Sequence, residues 1–109
     1  MSIQLPPPIA LYVQLENAGD PATLAECFAP NAIVRDEDRT YEGLAAITAW
    51  KAETKQKYHH TVTPLEVAQQ HGKTVLTATL TGDFPGSPLT LNFDFVLKAG
   101  KILSLEMHA

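Results

Sequence analysis

The sequence predicts one α+β domain over residues 1–109, with an antiparallel sheet packed on N-terminal helices. Three observations lead there. A length of 109 residues fits one compact unit and excludes a pair of catalytic domains, a repeat array or a large barrel. The first half carries apolar residues at helical spacing between helix start and stop signals, and from His59 onward the period falls to two. Helices gathered on one side of an antiparallel sheet make a two-layer α+β structure, and a strongly curved sheet leaves a concave space suited to a small ligand.

Pro6, Pro7 and Pro8 suit a helix entry, because proline presets φ and needs no donor there. The face formed by Ile9, Tyr12, Val13 and Glu16 predicts a first helix from about Pro7 to Asn17, ended by Gly19. Asp20 can cap the next helix with Pro21 at its first position, and Leu24, Cys27 and Phe28 give that helix an apolar stripe which Pro30 ends. Ala32, Ile33 and Val34 read as a short strand running into the charged segment Arg35 to Arg39. A third helix is expected from Gly43 to about Lys57, with Leu44, Ile47 and Trp50 on one side. Lys51, Lys55 and Lys57 near its end are favoured by the helix dipole and read as a solvated face.

Four strands follow, at His60–His71, Lys73–Phe84, Leu89–Lys98 and Lys101–His108, separated by Gly72, the Pro85–Pro88 stretch and Ala99-Gly100. Connections this short predict an antiparallel meander. Leu91, Phe93, Phe95 and Leu97 alternate with Asn92, Asp94, Val96 and Lys98, which gives one buried and one wetter face. Pro64 cannot donate to a ladder and implies a bulge or an edge position.

Eight Lys and Arg against twelve Asp and Glu give a formal net charge of -4, which removes the attraction that drives binding to nucleic acid or anionic lipid. Neither partner is expected. Thr74 to Phe93, the longest stretch with little charge, is broken by Gly82, Asp83, Pro85, Gly86 and Pro88, so no membrane helix is predicted. Cys27 is the single cysteine and forms no intramolecular disulfide, and Met1 to Leu5 lack a charged export signal; a cytoplasmic location is expected. His59 and His60 are adjacent on an expected strand and point to opposite faces, His71 sits at a turn and His108 near the C-terminus, so no metal site is expected. Phosphate-loop and dinucleotide patterns are missing, and no cofactor is expected.

The segment Ala10 to Asp20, the run Phe28-Ala-Pro-Asn-Ala32-Ile-Val-Arg-Asp36, Tyr41-Glu-Gly43 before a helix bearing Trp50, and the Gly100-Lys101-Ile102 hairpin together resemble the NTF2-like superfamily. Within it they are most similar to SnoaL-like proteins and the ketosteroid isomerase group. The resemblance implies a cone of curved antiparallel sheet wrapped around three N-terminal helices, an internal apolar pocket, and a homodimer joined through the outer sheet face. It implies that Tyr12 hydrogen-bonds a substrate carbonyl, that Asp36 shuttles a proton, and that Trp50 walls the pocket. Phe28, His60, Leu91, Phe93, Leu105 and Met107 are further expected pocket residues, with the choice between His59 and His60 left open. The isomerases' second oxyanion donor, a protonated aspartate, corresponds here to Phe93, with Asn92 and Asp94 one position away on the other strand face.

The chemistry of these residues supports two readings. An aspartate beside an apolar cavity makes a general base for a carbon acid, because burial raises its pKa from about 3.9 toward neutrality. A tyrosine hydroxyl facing it stabilises the enolate oxygen. The first expectation is therefore a cofactor-free isomerase, cyclase or lyase acting on a small apolar carbonyl compound. The second is a non-catalytic ligand-binding or dimerisation module, in which Asp36 pairs with Arg35 or Arg39, Tyr12 and Trp50 are core aromatics, and Cys27 is a small buried apolar residue.

Overall fold

The computed structural model describes residues 4–18, 25–36 and 38–108. Its first helix, α1 (Pro7–Ala18), starts on the Pro6 carbonyl, which accepts from the amides of Ile9 at 3.0 Å and Ala10 at 2.9 Å. Pro8, Ile9, Tyr12, Val13 and Glu16 form its buried face. The helix expected next falls partly on residues 19–24, which lie outside the described residues. Its remainder is corrected: Ala25–Cys27 is one 3₁₀ turn, and Phe28 already belongs to strand β1 (Phe28–Asp36). Pro30 therefore ends no helix. It sits inside a β1 segment where the register against the neighbouring strand shifts, between Phe28 and Ile33, and a proline is tolerated there because the ladder is interrupted.

β1 is thus nine residues long, and the charged segment after it turns back as strand β2 (Arg39–Glu42), with Asp36 opposite Arg39 and Asp38 at a positive φ of 65°. Helix α2 (Gly43–Tyr58) follows close to its expected limits. Four long strands complete the chain: β3 (Thr61–Gln70), β4 (Lys73–Thr81), β5 (Leu89–Lys98) and β6 (Lys101–His108). His60 precedes β3 and Phe84 follows β4, so neither lies in the strand expected to hold it.

These strands form one sheet in the order β2-β1-β6-β5-β4-β3. The meander β3 to β6 is antiparallel as expected, but β1 joins β6 in parallel, so the sheet is mixed. The two tight hairpins, at His71-Gly72 and Ala99-Gly100, have positive φ at both residues, the twist that a two-residue connection needs. β3 is an edge strand, and its register shifts between Pro64 and Glu66, so the proline occupies both an edge and a bulge. α1 covers one end of that edge: Asn17 accepts from the Val62 amide at 2.7 Å and donates to its carbonyl at 3.0 Å.

The core lies between the two α-helices of the described residues and the sheet's inner face. Ile9, Phe28, Val34, Ile47, Leu76, Phe93, Phe95, Ile102 and Leu105 are all buried in it. Tyr12 meets Phe28 and Phe95 edge-on at 6.0 and 5.5 Å between ring centres, a favoured geometry for aromatic quadrupoles.

Candidate functional site

Between α1, α2 and the inner sheet face is a cavity of about 320 Å³, near the lower end of the range for ligand sites. Its wall is mainly apolar, with Trp50, Val62, Leu80, Leu91, Phe93 and Met107 prominent. Glu16, Asp36, Lys51 and His60 also line it, with Tyr12. Four groups with ionisable side chains on one apolar wall need partners, because an unpaired buried charge is strongly unfavourable.

Three of them supply one another. Lys51 Nζ donates to Glu16 Oε2 at 2.8 Å, and His60 Nε2 bonds the other carboxylate oxygen of the same glutamate. Glu16, Lys51 and His60 are respectively 2%, 4% and 5% exposed. Burial pushes the Glu16 carboxyl upward, but the His60 hydrogen bond and the Lys51 ammonium outweigh it and hold the group at about 2. Burial lowers the pKa of Lys51, an effect that Glu16 opposes. The ammonium also lies 4.2 Å from the centre of the Trp50 ring and 5.8 Å from that of Tyr12, within cation–π range.

Local sequence explains each placement. Glu16 is four residues beyond Tyr12 on the buried face of α1, and Lys51 is four residues beyond Ile47 on that of α2. His60 follows His59, whose left-handed conformation (φ 50°) ends α2 and turns the chain inward. Gly82 packs against this corner: a Cβ there would stand 2.7 Å from the Tyr58 carbonyl oxygen and 2.8 Å from His60 Cα, so only glycine fits undistorted. Lys51 is thus not part of the solvated basic face that its neighbours suggested.

Asp36, at the end of β1, is half-buried and accepts from Trp50 Nε1 at 3.3 Å. Tyr41 stacks on Trp50 at 5.4 Å between ring centres. Burial, Glu16 and Asp36 together raise the Tyr12 pKa well above its ordinary value, so the hydroxyl keeps its proton. Tyr12, Asp36, Trp50, His60, Leu91, Phe93 and Met107 therefore share the cavity, whereas Phe28 and Leu105, expected in the wall, lie in the core instead. Of the two adjacent histidines, His60 faces inward and His59 is exposed beside Asp83 at 3.2 Å. Asn92 bonds Thr77 at 2.9 Å and Asp94 bonds His108 at 3.0 Å in a groove on the opposite sheet face, so neither stands in for Phe93. Cys27 is buried, and burial pushes its thiol up to about 11, the opposite of an activated nucleophile. Among the described residues, no group of three or more His, Cys, Asp or Glu is placed to hold a metal ion.

Sequence reasoning missed Glu16 and Lys51. The signal was present as a charged residue at i+4 on each apolar helical stripe, but the two are 35 residues apart and nothing local joins them.

The SnoaL-like domain family matches residues 9–104. Among curated proteins none matches. A solved structure from Sinorhizobium meliloti, described as a candidate polyketide cyclase, is 36% identical, with a TM-score of 0.91 and 95% of each chain covered. A Catenulispora acidiphila protein with a ketosteroid isomerase-like fold, solved with trimethylamine, has a TM-score of 0.85 at 18% identity, covering 97% of this chain and 87% of that one. An NTF2-like protein of unknown function from Cytophaga hutchinsonii has a TM-score of 0.77 at 13% identity, over 99% and 93% of the two chains. At such identities the last two speak to fold alone.

Proposed function

Since the chain belongs to the SnoaL-like domain family, with its NTF2-like fold, we propose that its cavity carries out cofactor-free proton transfer on a small apolar carbonyl compound. The reaction class is that of an isomerase, a cyclase or a lyase. The observation that carries this reading is that Asp36 and Tyr12 line one mainly apolar cavity, together with a buried ammonium. Asp36 takes a proton from carbon next to the carbonyl group. Tyr12, whose hydroxyl is held protonated, trades its hydrogen bond to Glu16 for one to the oxygen on which enolate charge develops, and the Lys51–Glu16 ion pair lies on the same wall. Asp36 then returns the proton at a second carbon, or the enolate carbon attacks another carbonyl of the same molecule and the new alkoxide takes the proton from Asp36, or a β-substituent departs carrying that proton. The Sinorhizobium neighbour is consistent with the second course.

The test is turnover of a panel of cyclic enones and β-dicarbonyl compounds. Asp36→Asn is expected to lower the rate by about 10² to 10⁴, and Tyr12→Phe by about 10² to 10³. Rates equal to background for the wild type, or unchanged in both variants, overturn the proposal. Phe93 favours a second reading, a binding module without catalysis, because an apolar ring occupies the position where the resemblance puts a second oxyanion donor. In that case ligands bind and none turns over. We also propose that two copies pair through the outer sheet face, around Thr77, Thr79, Thr81 and Val96, and that the protein works in the cytoplasm. Among the described residues no helix is long and apolar enough to cross a membrane.

A further inference from the structure

The buried cluster of Glu16, Lys51 and His60 holds one group that the proposed chemistry leaves unused. Glu16 is held ionised, so its two oxygens accept, one from Lys51 and the other from His60 Nε2. Nε2 therefore carries a proton, and the carboxylate fixes the imidazole in that tautomer. The other ring nitrogen, Nδ1, is buried and has no hydrogen-bond partner among the described residues. It belongs to a side chain only 6% exposed that forms part of the cavity wall. The remaining surroundings offer little: most of the wall is apolar, and Gly82 packs on the backbone side of the residue.

An orphaned nitrogen in an apolar wall discriminates between ligands, because only a molecule that brings a donor relieves the cost of leaving it buried and unpaired. We propose that the ligand bears a hydroxyl group that docks on His60 Nδ1, so that the cavity selects small uncharged hydroxylated compounds, an alcohol or enol in addition to the carbonyl. This deepens the reading given above and rests on it. A hydroxyl serves the bare Nδ1 because its O–H donates to the ring lone pair. An ether, a halide or a bare hydrocarbon lacks the donor. Glu16 and Lys51 act as positioning residues: Glu16 holds the ring, and Lys51 balances the charge of Glu16.

Three probes with one bicyclic skeleton test this: indane, 2-indanone and 2-indanol. Their binding is read from the fluorescence of Trp50, the single tryptophan, which lines the cavity. His60→Phe is expected to weaken 2-indanol relative to indane by about tenfold, the size of a lost hydrogen bond with an unpaired partner, and to leave the ratio of 2-indanone to indane unchanged. A second measurement needs no variant: with ¹⁵N-labelled histidine, the Nδ1 resonance of His60 moves on adding 2-indanol and stays in place with indane. If His60→Phe leaves the 2-indanol preference intact, or Nδ1 does not respond, the hydroxyl assignment falls while catalysis by Asp36 and Tyr12 still stands. An equal loss for 2-indanone overturns it as well, since the nitrogen then serves a carbonyl. If none of the three probes binds the wild type, the ligand cavity itself and this inference fail together.

Discussion

Glu16 pairs at once with two other buried ionisable side chains, Lys51 and His60. It neutralises a buried lysine, orients a buried histidine and lies on the same wall as Tyr12. Its carboxyl is held at about 2 in the folded chain against an ordinary 4.5. A carboxyl depressed by folding adds stability that is complete above its unfolded value and is lost as the pH falls toward its folded one. The wild type is therefore expected to lose stability between about pH 4.5 and about pH 2, and Glu16→Gln to remove much of that slope. At neutral pH the same substitution leaves Lys51 buried without its counter-charge and is expected to cost about 3 kcal/mol, measured by urea unfolding. A pH profile identical in both proteins would contradict this account. Two local cues, Glu16 on an apolar stripe and Lys51 at i+4 from Ile47, were legible in the sequence; their meeting across 35 residues was not, because charge pairing at that separation has no period. Asp36 and Tyr12 were legible only through the resemblance, since spacing alone leaves one as a loop carboxylate and the other as a core ring.

The elements divide according to how much of their pattern is local. α1, α2 and the four long strands follow the 3.6 and 2.0 periods of their apolar residues, and their observed limits fall close to the expected ones. β1 was foreseen only at Ala32, Ile33 and Val34, and β2 escaped, because their signals conflict. Pro30 looks like a helix stop but occupies a bulge, and Arg35, Asp36 and Arg39 look like parts of a solvated loop but lie in paired strands. The hairpin at Ala99-Gly100 carries a testable strain, because alanine at φ 52° holds its Cβ against the carbonyl oxygen. Ala99→Asn supplies a residue that tolerates this conformation and suits a two-residue turn, and is expected to stabilise the protein by about 0.5 to 1 kcal/mol. The check is a higher urea midpoint at an unchanged slope; a lower midpoint would count against the geometry of the turn.

At the scale of the whole molecule, an excess of four negative charges gave an early reason to expect no nucleic acid, yet it hid how charge is distributed, since two of the acidic residues, Glu16 and Asp36, line the cavity. Light scattering at micromolar concentration is expected to give twice the mass of 11.9 kDa if the outer sheet face joins two copies; the monomer mass would refute the pairing. The α+β order of elements was legible because it is written in periods. The parallel joint between β1 and β6 was not, since pairing partners 71 to 74 residues apart leave no trace in spacing. That joint also sets a timetable. β6 brings Met107 to the cavity wall and alone connects the β1–β2 hairpin, with Asp36 at its tip, to the rest of the sheet. During synthesis from the N-terminus the β1–β2 hairpin stays unanchored to the meander until Lys101–His108 has been added. A nascent chain stopped at Gly100 lacks both Met107 and the strand that joins Asp36 to the sheet, so the cavity wall is completed only once β6 has been added.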